Sequence, residues 1–216
     1  MGRMLTIAAA VWVTAGAAGA APIYDKSFFT GKPHTLIAFE TNGSGGTITL
    51  ANGDFTALPA AEYSSQGVTF SQDIQWINDS GASFDAAQLI GGSPEITIPG
   101  PPHDDFRMSF SGTVKAFGFF VINKTTNPVT PLFTAYDGSG GAIETATFTG
   151  SFIDGITGTA AYGFMGICSD TPIASVQIYK DSTALDDLYF SSVPEPAGLA
   201  LLGLAGLRLF SRQRRS

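Results

Sequence analysis

Cysteine is all but missing. Cys168 is the only one in 216 residues, so no intramolecular disulfide can form. It sits in YGFMGICSD, where it reads as a small hydrophobe rather than a reactive thiol. Histidine is almost as scarce: His34 and His103 are the whole supply. There is no HExxH, no Gly-x-Ser-x-Gly and no Gly-rich phosphate loop, which removes the common signatures of zinc hydrolases, serine hydrolases and nucleotide binders. His103 stands beside Asp104 and Asp105 in PGPPHDD, and reads as a solvated loop before it reads as a metal site. Charged residues make up only 13% of the chain, but 44% are hydrophobic, which excludes a disordered polymer. An uninterrupted apolar run of the roughly 20 residues that span a bilayer is also missing.

What is abundant is glycine and phenylalanine, 26 and 17 residues. Glycine for turns and Phe, Thr and Val for strands make a β-rich signature. Asn42-Gly43, Asn52-Gly53, Asp137-Gly138 and Asp154-Gly155 are turn pairs. Between turn signals the expected strands are 34–40, 46–52, 67–71, 74–78, 95–100, 105–112, 114–123, 131–138, 142–150, 161–169, 173–181 and 184–190. Phe106, Met108 and Phe110 alternate with Arg107, Ser109 and Ser111, and Ala174, Val176 and Ile178 with Ser175, Gln177 and Tyr179. This period of two marks half-buried antiparallel strands. The expected fold is all-β, an antiparallel β-sandwich of jelly-roll type over residues 21–192.

The ends carry a different composition. Residues 1–20 have Arg3, then an apolar stretch, then the small pair Ala18 and Ala20 of a secretory cleavage site, with the cut expected after Ala20. At the other end, Val193-Pro194-Glu195-Pro196 is followed by Ala, Gly and Leu alone from Ala197 to Leu207, then Arg208, Arg212, Arg214 and Arg215. Arg208 can snorkel towards the tail, so the segment is a marginal single transmembrane helix, and the basic cluster orients it with the domain outside. Two prolines keep the stretch ahead of it extended, the form in which a processing enzyme binds peptide.

This three-part ending, residues 193–216, resembles the PEP-CTERM sorting signal of Gram-negative bacteria, also labelled an ice-binding-protein C-terminal motif. The resemblance implies signal peptidase and exosortase as partners. It also implies a transient inner-membrane anchor, cleavage near Pro-Glu-Pro, and delivery to the surface or extracellular matrix in systems that make exopolysaccharide and biofilm. IAFE, GVTF, FGFFV, SDTPIASVQI and ALDDLYF resemble ectodomains found ahead of this signal, which implies a lectin-like or carbohydrate-binding-module-like sandwich.

Residues 21–192 keep 6 basic and 17 acidic residues, a net charge of 6 − 17 = −11. So acidic a domain argues against nucleic acid and is compatible with polysaccharide or divalent cations. Glu40 ends an early strand and Asp186 and Asp187 open the last; if the first and last strands are neighbours, the three form a structural Ca²⁺ site. Asp186 has the parity of Leu188 and Phe190 and would point inward with them. Trp76, Tyr63, Tyr136 and Tyr179 are candidate sugar-stacking residues, or else core. Thr145, Thr147 and Thr149 alternate as an ice-lattice row would, but no repeat multiplies them. Asp79-Ser80-Gly81 matches the aspartic-protease triplet without its second copy. No pair of carboxylates is singled out for glycosidase work. The expectation is a non-catalytic surface or matrix protein that requires no cofactor. The alternatives are a carbohydrate-binding module and, behind it, a secreted hydrolase or an ice-binding protein.

Overall fold

The computed structural model describes residues 19–51, 54–78, 89–91, 105–123, 129–148, 156–157, 160–179 and 183–192. They form an antiparallel all-β fold. The strands are β1 (Ala21–Ile23), β2 (Thr35–Ile37), β3 (Phe55–Leu58), β4 (Val68–Phe70), β5 (Ile74–Ile77), β6 (Leu89–Gly91), β7 (Phe106–Asn123), β8 (Val129–Tyr136), β9 (Ala142–Phe148), β10 (Ile156–Thr157), β11 (Ala160–Ile178) and β12 (Thr183–Ser191). Two short 3₁₀ turns, Lys26–Phe29 and Ser64–Gln66, are the only helical pieces among the described residues. None of them holds a helix long and apolar enough to cross a membrane.

Two long strands organise the sheet. The segments expected as separate strands at 105–112 and 114–123 are one strand, β7, and those at 161–169 and 173–181 are one strand, β11. Their register explains the misreading. After Cys168 pairs with Ala116, residues 169–172 of β11 lie opposite Lys115 alone; after Ile173 pairs with Val114, residues 110–113 of β7 lie opposite Ala174 alone. Extra residues bend paired strands and flip side-chain parity. In β7 the core residues are accordingly Phe106 and Met108 before the irregularity and Phe117, Phe119 and Val121 after it.

The bend splits the sheet into two halves. In one, β12, β7 (116–123) and β11 (160–168) lie side by side, flanked by β1 and β10 at one edge and by β2, β6, β5 and β3 at the other. In the other, β4, β7 (106–110), β11 (175–178), β8 and β9 follow in order. The halves face each other: Phe133 of β8 stands 5.6 Å from Phe117 and 5.8 Å from Phe119, ring centre to ring centre.

The first half is buried on both sides. Its inner face feeds the main core, and its outer face carries Ala116, Phe120, Phe164 and Tyr189 under Ile23, Phe28 and Phe29 of the N-terminal segment. Gly118 and Gly166 pair directly beneath this aromatic cluster. A Cβ at Gly118 would stand 2.4 Å from the Phe164 ring, so glycine there makes room for that ring.

Some expectations fail for stated reasons. Of the strand expected at 46–52, the described residues 46–51 do not form one; Thr47 makes only an isolated bridge to Thr41. Asn42 holds the loop instead, its Oδ1 accepting from the N–H of Ser44 and of Gly46. Tyr63 and Trp76 are core, 0% and 4% exposed, so neither stacks a sugar. The Tyr63 hydroxyl donates to the Thr41 carbonyl at 2.7 Å and accepts from Trp76 Nε1 at 3.2 Å. Burial pushes this phenol up to about 12, so it stays neutral. The expected strand at 95–100 lies outside the described residues, as do the turn pairs Asn52-Gly53 and Asp154-Gly155.

Candidate functional site

Glu40, Asp186 and Asp187 come together: one carboxylate oxygen from each lies within 4.8 Å of the others. The pairing that does this is β2 with β12, where Ile37 faces Leu188 and Leu36 faces Tyr189. The chain leaves β2 three residues before Glu40 and so runs antiparallel past Asp186 and Asp187. β1 is the first strand, and it pairs with β11 instead.

The parity argument for Asp186 does not hold. Asp186 pairs with Phe120 and Tyr189 with Gly118, so Asp187 and Leu188 share one position opposite Phe119. Asp187 takes φ +46°, in the left-handed region that a side chain enters only at a bulge or turn. Leu185 and Leu188 therefore both reach the core. Asp186, next to Leu185, lies on the opposite face beside Phe120.

Three carboxylates this close cannot all ionise at ordinary cost. Burial pushes Asp186 up to about 7, with the charges of Asp187 and Glu40 adding to the rise and the Asp187 N–H, donated to Asp186 Oδ1 at 2.8 Å, opposing it. Asp187 is also raised, by burial and by Glu40, with Lys26 pulling the other way. Lys26 itself sits over the Phe120 ring at 5.3 Å. Two states relieve such a cluster: a shared proton, or a hard divalent cation for which carboxylate oxygens are the fitting ligands.

Other candidates separate from this cluster. His34 is exposed, its Nδ1 lies 2.8 Å from the Lys32 carbonyl and its ring stands 5.5 Å from that of Tyr189; it is not one of the three residues of the acid cluster. Cys168 is half-buried and its Sγ lies 3.5 Å from the Ala21 carbonyl. Thr145 is exposed and Thr147 half-buried, so the row is not uniformly presented. Tyr136 and Tyr179 are half-exposed on the outer side of the second half. Ala20 precedes β1 directly. Ala18, Asp79-Ser80-Gly81, His103, Asp104, Thr149, Val193, Pro194, Glu195, Pro196, Arg208, Arg212, Arg214 and Arg215 lie outside the described residues. Sequence reasoning missed the bulge at Asp187, because a bulge in an apolar strand leaves no composition signal beyond two adjacent acids.

No family model matches this chain, and no curated protein matches it. Among solved structures it is similar to the K1 cleaved adhesin domain of Lys-gingipain from Porphyromonas gingivalis W83, at 14% identity and a TM-score of 0.36, covering 74% of this chain and 99% of that one. The K2 cleaved adhesin domain of Lys-gingipain gives 12% and 0.38, over 73% and 97%. An Arthrobacter globiformis T6 isomalto-dextranase complexed with panose gives 14% and 0.36, over 79% and 34%. Likenesses this distant carry no argument about what the chain does.

Proposed function

We propose that this chain is an exported, non-catalytic component of the surface or extracellular matrix of a Gram-negative bacterium. Residues 193–216 hold it at the inner membrane until an exosortase processes it. The sandwich is jelly-roll-like in this reading, and its setting is exopolysaccharide and biofilm.

One observation supports the reading: where the first and last described strands begin and end. β1 begins at Ala21, directly after the expected cleavage site, and β12 ends at Ser191, two residues before Val193. Ala21 pairs with Cys168, Cys168 with Ala116, and Ala116 with Ser191, so both ends lie in one row across the sheet. Each pairing is antiparallel, so β1 and β12 run in opposite directions, and the chain enters and leaves at the same level. Three strand spacings separate the two points, about 14 Å. Ala21 and Ser191 therefore lie on one side of the domain, which suits a reading in which both flanking segments are directed to a membrane. From Ser191 to Ala197 the backbone reaches at most about 20 Å, with Pro-Glu-Pro in the middle of that tether.

A second reading, a lectin-like module with a structural Ca²⁺, is favoured by the Glu40, Asp186 and Asp187 geometry. The first reading is tested by changing Val193–Pro196 to alanines and fractionating the cells. Unprocessed protein accumulating in the membrane, at least about tenfold above wild type, is the expected result; normal release contradicts the reading.

A further inference from the structure

The second half of the sheet has two very different faces. Phe70, Met108, Val176 and Ala135 form one cross-strand row, and Phe106, Ile178, Phe133 and Ala146 another; all turn to the core. The intervening rows turn to the other face, where Thr134 and Ser175 are buried and the rest are at least partly exposed. One runs Thr69, Ser109, Ser175, Tyr136, and the other Arg107, Gln177, Thr134, Thr145. Tyr179 follows Ile178 and continues this outer face.

Arg107 is the only charged residue in these outward rows, in a domain of net charge −11. Its guanidinium lies 4.5 Å from the centre of the Tyr136 ring, which fixes it in place while leaving most of its N–H donors to point elsewhere. The Tyr136 hydroxyl is raised by burial and by its hydrogen bond to Tyr179, and Arg107 opposes the rise. Asp105 stands two residues before Arg107, and two further acids near the rows are turned to other work. Asp137 Oδ1 accepts from Ser139 and Gly141 N–H, and Glu144 Oε1 accepts from Thr145 N–H. Beside Arg107, Gln177 uses its Nε2 on the Phe106 carbonyl, which leaves its oxygen as an acceptor. Thr134 and Thr145 hydroxyls stand 3.4 Å apart at the end of the row.

We infer that this outer face binds an acidic polysaccharide strand. A uronate carboxylate sits on Arg107, a sugar ring lies against Tyr179, and hydroxyls meet Gln177 and Thr145. Carboxylate recognition belongs to arginine because its donors match the two oxygens side by side. The flat tyrosine supplies apolar area to the face of a pyranose. Asp105, Asp137 and Glu144 stand beside these rows and oppose a polyanion there, whereas at about 0.15 M salt charges more than about 8 Å away are largely screened. The inference rests on the proposed export, since only an exported domain meets such a polymer.

The test titrates full-length protein in detergent with hexagalacturonate and with a neutral glucose hexamer, by calorimetry at 0.15 M salt (about physiological). Hexagalacturonate is expected to bind at least about tenfold more tightly than the neutral oligomer. Arg107→Gln loses about tenfold or more of that affinity, Arg107→Lys regains only part, and Tyr179→Ala loses several-fold. Thermal unfolding of each variant checks that the fold is intact. Hexagalacturonate binding unchanged in Arg107→Gln, or absent from wild type, overturns the inference. Processing at Pro-Glu-Pro is scored in the same strains: wild-type protein that is processed normally but binds no hexagalacturonate rejects this site and leaves the export reading standing.

Discussion

Gly166→Ala is expected to damage the domain severely. A Cβ at Gly166 would stand 1.9 Å from the Phe117 carbonyl oxygen, 2.6 Å from Gly118 Cα and 2.8 Å from the Phe117 carbonyl carbon. All three are backbone atoms of the paired strand, so no side chain can swing aside. β7 and β11 would have to separate where they support Phe164, whose ring touches those of Phe29, Phe120 and Tyr189. Overpacking of this kind costs about 3 kcal/mol or more. For a domain of this size that lowers the melting temperature by about 10 °C. Gly138→Ala is the control, because its Cβ would meet nothing within 4 Å. Thermal unfolding of the two variants side by side checks the claim; equal melting temperatures would refute the close approach of β7 and β11.

The second large effect is in pH. Asp186 titrates at about 7 in the folded domain and near 3.9 once unfolded. Between these values the folded state holds a proton that the unfolded state has released. Asp186 therefore stabilises the fold most fully below about pH 4, and that contribution is lost as pH rises through 7. The whole window is worth about 4 kcal/mol. Asparagine at 186 carries no charge at any pH and keeps an oxygen for the Asp187 N–H. Asp186→Asn is thus expected to exceed wild type by about 2–4 kcal/mol at pH 8 and to match it within about 1 kcal/mol at pH 4. Urea unfolding of both proteins at the two pH values reads this difference, and parallel curves would show that Asp186 ionises freely. Millimolar Ca²⁺ at pH 8 separates the two ways of relieving the cluster. A cation bound there raises the wild-type midpoint and not that of Asp186→Asn, whereas a shared proton leaves both unmoved.

The strand content was legible where one face is wet. Phe106 to Ser111 and Val176 to Tyr179 alternate because they cover the second half of the sheet, whose outer side meets solvent. The first half was harder, because Ala116, Phe117, Phe119 and Phe164 are buried on two faces and lose the period of two. The gaps left between the expected strands at 113 and at 170–172 are not breaks: β7 and β11 run through them by accommodating extra residues. β1 and β3 are three and four residues long with one buried position each, too little for a pattern to form. The acidic cluster was anticipated from residue type and a guess at strand adjacency. The bulge at Asp187 and the outward arrangement of Arg107 with Tyr136 and Tyr179 depend on register, which composition does not carry.

The central claim is that a β domain is exported and then released from a C-terminal membrane segment. Intact mass of the protein recovered outside the inner membrane tests it most directly. The account predicts a chain that begins at Ala21 and ends near Pro-Glu-Pro, without the Ala/Gly/Leu segment and the arginine tail. A recovered chain that still carries residues 1–20, or still ends at Ser216, would contradict it.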